Sequence, residues 1–145
     1  MIKSISSLVL ASALTFGIPA FSQANSKAGT AQTARGKYLV NDVGLCGDCH
    51  TPMDKTGMPV KGQYLQGSPL FFKPTVPIPG WMSIAPRIAG LPSWTKEQGI
   101  TFFMTGKKPN GAMAAPPMPA FRFNKADATN LTVYLKSLGS EPKTK

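Results

Sequence analysis

Cysteine and histidine are almost missing from this chain of 145 residues: there are two cysteines and one histidine. Three such residues fall short of the four ligands a structural zinc site wants. Both cysteines lie three positions apart, so no disulfide can staple distant parts of the chain. Acidic residues are scarce as well, six against sixteen Lys and Arg, for a net charge of +10. The excess is dispersed, from Lys27 and Arg35 to Lys125 and Lys136. Without a dense basic block, a face that tracks a nucleic-acid backbone is excluded; a dispersed positive surface steers the protein toward acidic partners or an anionic membrane surface. No apolar run reaches the ~20 residues of a membrane span. There is no internal repeat and no convincing strand pair.

The three scarce residues stand together, in Cys46-Gly47-Asp48-Cys49-His50. C-x-x-C-H is the attachment pattern of a c-type haem. Two thiols at this spacing reach the two vinyl groups on one porphyrin edge, and the next residue presents an imidazole to the iron. The competing explanations are weaker. A Cys46–Cys49 disulfide would close a very short loop and constrain little of the unfolded chain. A thioredoxin-like pair is expected beside a βαβ pattern, and no apolar strand precedes Cys46.

Residues 1–24 have the form of a secretory signal. Lys3 gives the positive start, an apolar core runs from Leu8 to about Phe16, and Ser22-Gln23-Ala24 offers small residues at the positions a signal peptidase reads. Cleavage after Ala24 would release residues 25–145 as one periplasmic domain of ordinary size. No cysteine follows the cleavage point to carry a lipid.

Residues 25–30 are polar and expected to fray. A helix is expected over 31–40, with Gly36 inside it; glycine costs about 1 kcal/mol against alanine there, so it implies close approach by another helix. Thr51-Pro52 follows the histidine, and the Pro52 carbonyl is a candidate acceptor for the imidazole proton. A glycine-rich loop covers 53–66. The segment 67–92 holds six prolines and many apolar side chains, among them Phe71, Phe72 and Trp81. A loop of this length and composition is expected to be a lid that wraps the haem with aromatic and aliphatic groups. A helix is expected over 95–105, with Thr95 and Gln98 as a capping box and Gly106 as its stop. The last helix begins at the N-cap Asn124, carries Leu131, Tyr134, Leu135 and Leu138 on one face, and stops at Gly139.

If His50 holds one face of the iron, no second histidine exists for the other. Met118 is the candidate, bracketed by Pro117 and Pro119 in Ala114-Ala115-Pro116-Pro117-Met118-Pro119-Ala120. A neutral thioether binds iron weakly, so its loop must be ordered beforehand. Pro116-Pro117 favours an extended polyproline segment, and Pro119 moves Met118 out of the helical region. Met113, which lacks the bracket, is the rival. His/Met ligation leaves no open position and raises the reduction potential, so such a site passes single electrons rather than making bonds. The alternative is an open-site haem enzyme or gas-sensing cytochrome, against which the lack of a distal acid–base histidine counts.

On Arg35-Gly36-Lys37-Tyr38-Leu39-Val40, Cys46-Gly47-Asp48-Cys49-His50-Thr51-Pro52, the Trp94–Gly106 run and Ala115–Phe121 with Tyr134–Leu138, the chain resembles the class I monohaem c-type cytochromes. The resemblance is greatest to the cytochrome domains that serve periplasmic dehydrogenases for alcohols, aldehydes and sugars. It implies an all-α fold wrapped around one covalent haem c, with terminal helices crossing near it. It implies Cys46 and Cys49 as thioether sites, with His50 and Met118 as iron ligands. Trp94 is implied to lie near a haem propionate. Arg87 stands where relatives often have asparagine, and is implied to offer a charge-assisted bond to a propionate. The implied role is an electron carrier, not an enzyme, between a dehydrogenase and an acidic-faced oxidase or cytochrome.

Overall fold

A computed structural model describes residues 21–139. The expected leader lies almost wholly in 1–20, outside the described residues. Four α-helices and one short strand pair make up the regular structure: α1 (Phe21–Tyr38), α2 (Cys46–His50), β1 (Ser68–Pro69), β2 (Ile84–Ala85), α3 (Lys96–Thr105) and α4 (Lys125–Ser137). The fold is thus mostly helical, as expected. The strand pair is a correction. Ser68 pairs with Ala85 and Pro69 with Ile84, antiparallel. Two residues per strand are too few to show any alternation in sequence.

The first helix is longer than expected, running through 25–30 instead of fraying there. Alanines at 24, 28, 31 and 34 supply the propensity. After Tyr38 the helix widens into a π-helical turn, Leu39–Val43, closed by the Gly44 N–H on the Leu39 carbonyl at 2.8 Å. Leu45 then takes a left-handed conformation at φ 46° and redirects the chain into α2. The haem motif therefore starts one sharp bend beyond α1.

The frame that carries this bend is α1 packed on α4, with α3 against the other side of α4. Gly36 lies at the first contact. A Cβ there would stand 2.1 Å from the Asn130 carbonyl oxygen and 2.6 Å from Tyr134 Cβ, so the two backbones meet only because the side chain is missing. Leu39, Val40, Leu131 and Leu135 close around this contact, each 2 % exposed or less. Burying each is worth about 2 kcal/mol. The buried Thr132 hydroxyl donates to the Ala128 carbonyl at 2.7 Å, so it adds no unpaired polar group.

Both expected caps are present. Thr95 accepts from the Gln98 N–H while Gln98 Oε1 accepts from the Thr95 N–H, and Asn124 accepts from the Asp127 N–H. Asp127 also receives both guanidinium arms of Arg35, at 2.9 and 3.1 Å. These hydrogen bonds hold its carboxyl below the usual carboxylate range.

Two expected outcomes follow from the α1–α4 contact. Gly36→Ala should destabilise the domain by about 2–3 kcal/mol in chemical denaturation, because the methyl must displace backbone; at an open helix position the same change would stabilise by about 1 kcal/mol. Asp127→Asn should lower stability slightly at neutral pH. The lowered carboxyl contributes above the ordinary carboxylate range and loses its contribution as pH falls through its own lower value. The gap between variant and parent should therefore close in acid, as melting curves across pH would register.

Candidate haem site

Cys46, Cys49 and His50 form one wall of a cavity of about 410 Å³. α2 accounts for their placement, since a single helical turn puts the two thiols and the imidazole on adjacent faces. Both cysteines are free thiols. Burial pushes the Cys46 thiol up to about 11 and raises that of Cys49 as well. Both shifts run opposite to the lowering that activates an exchange-active thiol. Among the described residues, no three His, Cys, Asp or Glu side chains gather closely enough to hold a metal ion between them.

His50 is 5 % exposed. Its Nδ1 lies 2.7 Å from the Pro86 carbonyl oxygen. A carbonyl only accepts, so Nδ1 carries the proton and Nε2 keeps its lone pair. Burial lowers the imidazole's proton affinity, and the Pro86 bond offsets part of that. The ring is a neutral ligand with its orientation fixed by an outer acceptor. The acceptor is Pro86, correcting the expectation of Pro52. The Pro52 carbonyl is used elsewhere, by the Val60 N–H at 2.9 Å.

Gly67 holds Pro86 at this distance. Its N–H donates to the His50 carbonyl at 2.8 Å, and its φ is +90°. A Cβ would stand 2.7 Å from the Arg87 nitrogen and 3.0 Å from the Pro86 carbonyl carbon. The β1–β2 pair lies immediately beyond, so strand pairing, Gly67 and the imidazole bond form one unit.

The opposite wall comes from the methionine loop. Met118, with Pro117, Pro119 and Phe121, lines the same cavity, and Met118 contacts His50. Met113 does not line it. That residue is 43 % exposed and sits in an isolated bridge with Lys107. The Pro116–Pro117 bond is cis, and the Met118 N–H reaches back to the Ala115 carbonyl at 3.0 Å. The segment is therefore a tight turn, correcting the expected extended polyproline run.

Trp94 and Arg87 both line the cavity. Trp94 stands edge-on to Phe102 at 5.1 Å, and Arg87 Nε donates to the Ala89 carbonyl at 3.0 Å. Lys108 and Phe102, which sequence reasoning did not single out, line it too. Phe102 stands edge-on to its neighbour Phe103 at 5.2 Å, and both line the cavity.

The expected lid is half right. Leu70, Met82, Ile84 and Pro86 face the cavity, but Phe71, Phe72 and Trp81 do not. These three stack edge-to-face on one another outside, at 5.3 and 5.8 Å, with Phe71 76 % exposed.

The donor set fits a haem. The walls are almost entirely apolar, the cavity has the size of an ordinary cofactor site, and a neutral imidazole and a thioether both line it. Two thiols at one edge are placed for thioethers, and one C-x-x-C-H implies one covalent haem c. The chain is a c-type cytochrome. It is 32 % identical to the cytochrome c subunit of alcohol dehydrogenase (quinone) from Gluconobacter oxydans, over 79 % of this chain and 25 % of that subunit. It is 30 % identical to the fructose dehydrogenase cytochrome subunit of Gluconobacter japonicus, over 72 % and 21 %. To the gluconate 2-dehydrogenase cytochrome c subunit of Pantoea cypripedii it is 32 % identical, over 74 % and 26 %. This cytochrome thus spans about a quarter of the length of the relatives it matches. No protein-family model matches the sequence.

Gly67→Val is expected to force the Pro86 carbonyl away from His50. Stability should fall by about 2–3 kcal/mol, and the His50 ring N–H signal in proton NMR should lose its exchange protection. A protected signal in a destabilised variant would disconnect Gly67 from the imidazole.

Proposed function

We propose that this domain carries single electrons in the periplasm, between a dehydrogenase and a further cytochrome or oxidase. Cys46 and Cys49 would hold the haem by thioethers, and His50 and Met118 would be the ligands to its iron. When bound, the haem supplies a one-electron couple between ferric and ferrous iron. The protein's part is to hold the ligands, exclude water and present one edge.

The observation that carries this is the meeting of His50 and Met118 at one apolar cavity from distant parts of the chain. Ligation by both residues would leave oxygen and substrates no coordination site, so bond-making chemistry would be left to the partner. His50 stays neutral and fixed through Pro86. The apolar wall of Leu91, Phe102, Phe103 and Ile88 keeps water from the ring and raises the cost of charge there. Trp94 and Arg87 line the same cavity, which supports contacts to the propionates, Arg87 as a charged donor.

The mouth supports exchange with a protein partner. Met82 and Ile84 line it and are 51 % and 59 % exposed, and Phe71 and Val76 lie in the same segment. An exposed apolar patch of this kind marks a contact surface. Lys73 is the lone charge between residues 67 and 86, and the whole chain is at +10, which favours an acidic rim opposite. The named relatives are dehydrogenase subunits, which supports a dehydrogenase as donor. Export with cleavage after Ala24 accords with covalent haem attachment outside the cytoplasm. No helix among the described residues is long and apolar enough to cross a membrane.

The exported protein should stain for haem on a denaturing gel, and its reduced form should bind carbon monoxide slowly. Met118→Ala should lower the reduction potential and admit carbon monoxide quickly, while Met113→Ala should leave both unchanged. A colourless protein ends the proposal. Fast carbon monoxide binding by the parent moves it to an open-site haem protein.

A further inference from the structure

A thioether is a weak ligand, so the chain segment that carries it needs an anchor independent of the iron. Both ends of the methionine loop reach the same place, the C-terminal end of α3. At the near end, the Ala114 N–H donates to the Gly106 carbonyl at 2.9 Å. At the far end, Ala120 packs on Gly106 so closely that a Cβ on that glycine would stand 2.8 Å from Ala120 Cβ. Between them, the lid's Met82 N–H holds the Pro116 carbonyl at 2.8 Å.

Arg122 closes the far end. Its Nη1 donates to the carbonyls of Thr105 at 3.2 Å, Ala120 at 3.1 Å and Phe121 at 3.3 Å. Thr105 is the last residue of α3, where carbonyls lack helical donors and a cation is favoured by the helix dipole. One guanidinium nitrogen thus ties the terminal carbonyls of the helix to those of the loop. Phe121 and Phe123 flank Arg122 and stack on each other at 5.3 Å, with Phe121 lining the cavity.

We propose that Arg122 is the positioning residue that clamps the methionine loop onto the end of α3 and keeps Met118 over the iron. This rests on Met118 being the distal ligand. Arg122 does not line the cavity and acts through the loop's backbone, setting how often the loop opens.

The experiment follows entry of imidazole into the ferric holoprotein, which requires Met118 to leave, alongside denaturant unfolding. Arg122→Met keeps the aliphatic stem and removes the donors. It should accelerate imidazole entry roughly tenfold, the loss of one good hydrogen bond to a charged group. Arg122→Lys, which restores a cation, should accelerate it by a smaller factor, and it also covers the case in which the methionine variant does not fold. Arg35→Met, a surface arginine on α1 that bonds Asp127 of α4 and not the loop, should leave the entry rate at the parent's value. Equal acceleration by the Arg35 and Arg122 variants, or none in either Arg122 variant, overturns the clamp. Met118→Ala reports on the underlying assignment: it should admit imidazole without the slow opening step. Entry no faster than in the parent would bring down the ligand assignment and the clamp with it.

Discussion

The bond from His50 Nδ1 to the Pro86 carbonyl organises the proximal half of this molecule. It is short, at 2.7 Å, and nearly dry. It fixes the tautomer, and so decides which nitrogen faces the cavity. To make it, the chain after α2 must travel out through the 53–66 loop, return at Gly67 on the His50 carbonyl, and lay Ala85-Pro86-Arg87 alongside. The short β1–β2 pair is a consequence of that path. So is the placement of Leu70, Ile84 and Ile88 around the cavity. A single ring proton thus accounts for the route of some forty residues.

The helices do a different job. α1 and α4 meet at Gly36, and the backbone contact there leaves no freedom to slide. Because Leu39–Val43 and α2 follow directly from α1, the haem motif inherits its position from that contact. α4 in turn anchors the loop beside Trp94: Lys136 donates to the carbonyls of Leu91 and Trp94, and the Gly90 N–H donates to Leu135. The acid–base pair in this frame, Arg35 with Asp127, is at the surface and adds little beside the apolar burial. The frame is rigid by packing, and the sites hang from it by backbone hydrogen bonds.

What the sequence could tell follows the same division. The haem motif, the capping box at Thr95, the N-cap at Asn124 and the apolar face of α4 are local patterns, legible because their partners lie within a few residues. Gly36 was legible too, since a glycine inside a good helix needs an outside reason. Contacts between distant segments were not. Pro52 and Pro86 both offer a carbonyl without a competing N–H, and nothing in the letters says that Val60 takes the first. The aromatic residues of the lid invited burial against a porphyrin, but Phe71, Phe72 and Trp81 pair with one another outside it. Hydrophobicity marks a surface for covering without saying by what. The proline bracket singled out Met118, which lines the cavity where Met113 does not, while its backbone shape was misjudged, a turn in place of an extended run.

The two halves of the site are therefore built on opposite principles. On the proximal side, two thiols and a buried imidazole come from five consecutive residues, so their mutual placement asks little of the rest of the chain. On the distal side, Met118 has no covalent hold, and its placement depends on α3, the lid and the loop together. A loss of packing anywhere in that set opens the distal face long before it releases the haem. Closure of that face is what separates a carrier from a haem protein with a free coordination site. The sequence motif alone therefore marks this chain for a haem, and the tertiary structure supplies what the proposed electron carrier needs, an imidazole and a thioether at one apolar cavity.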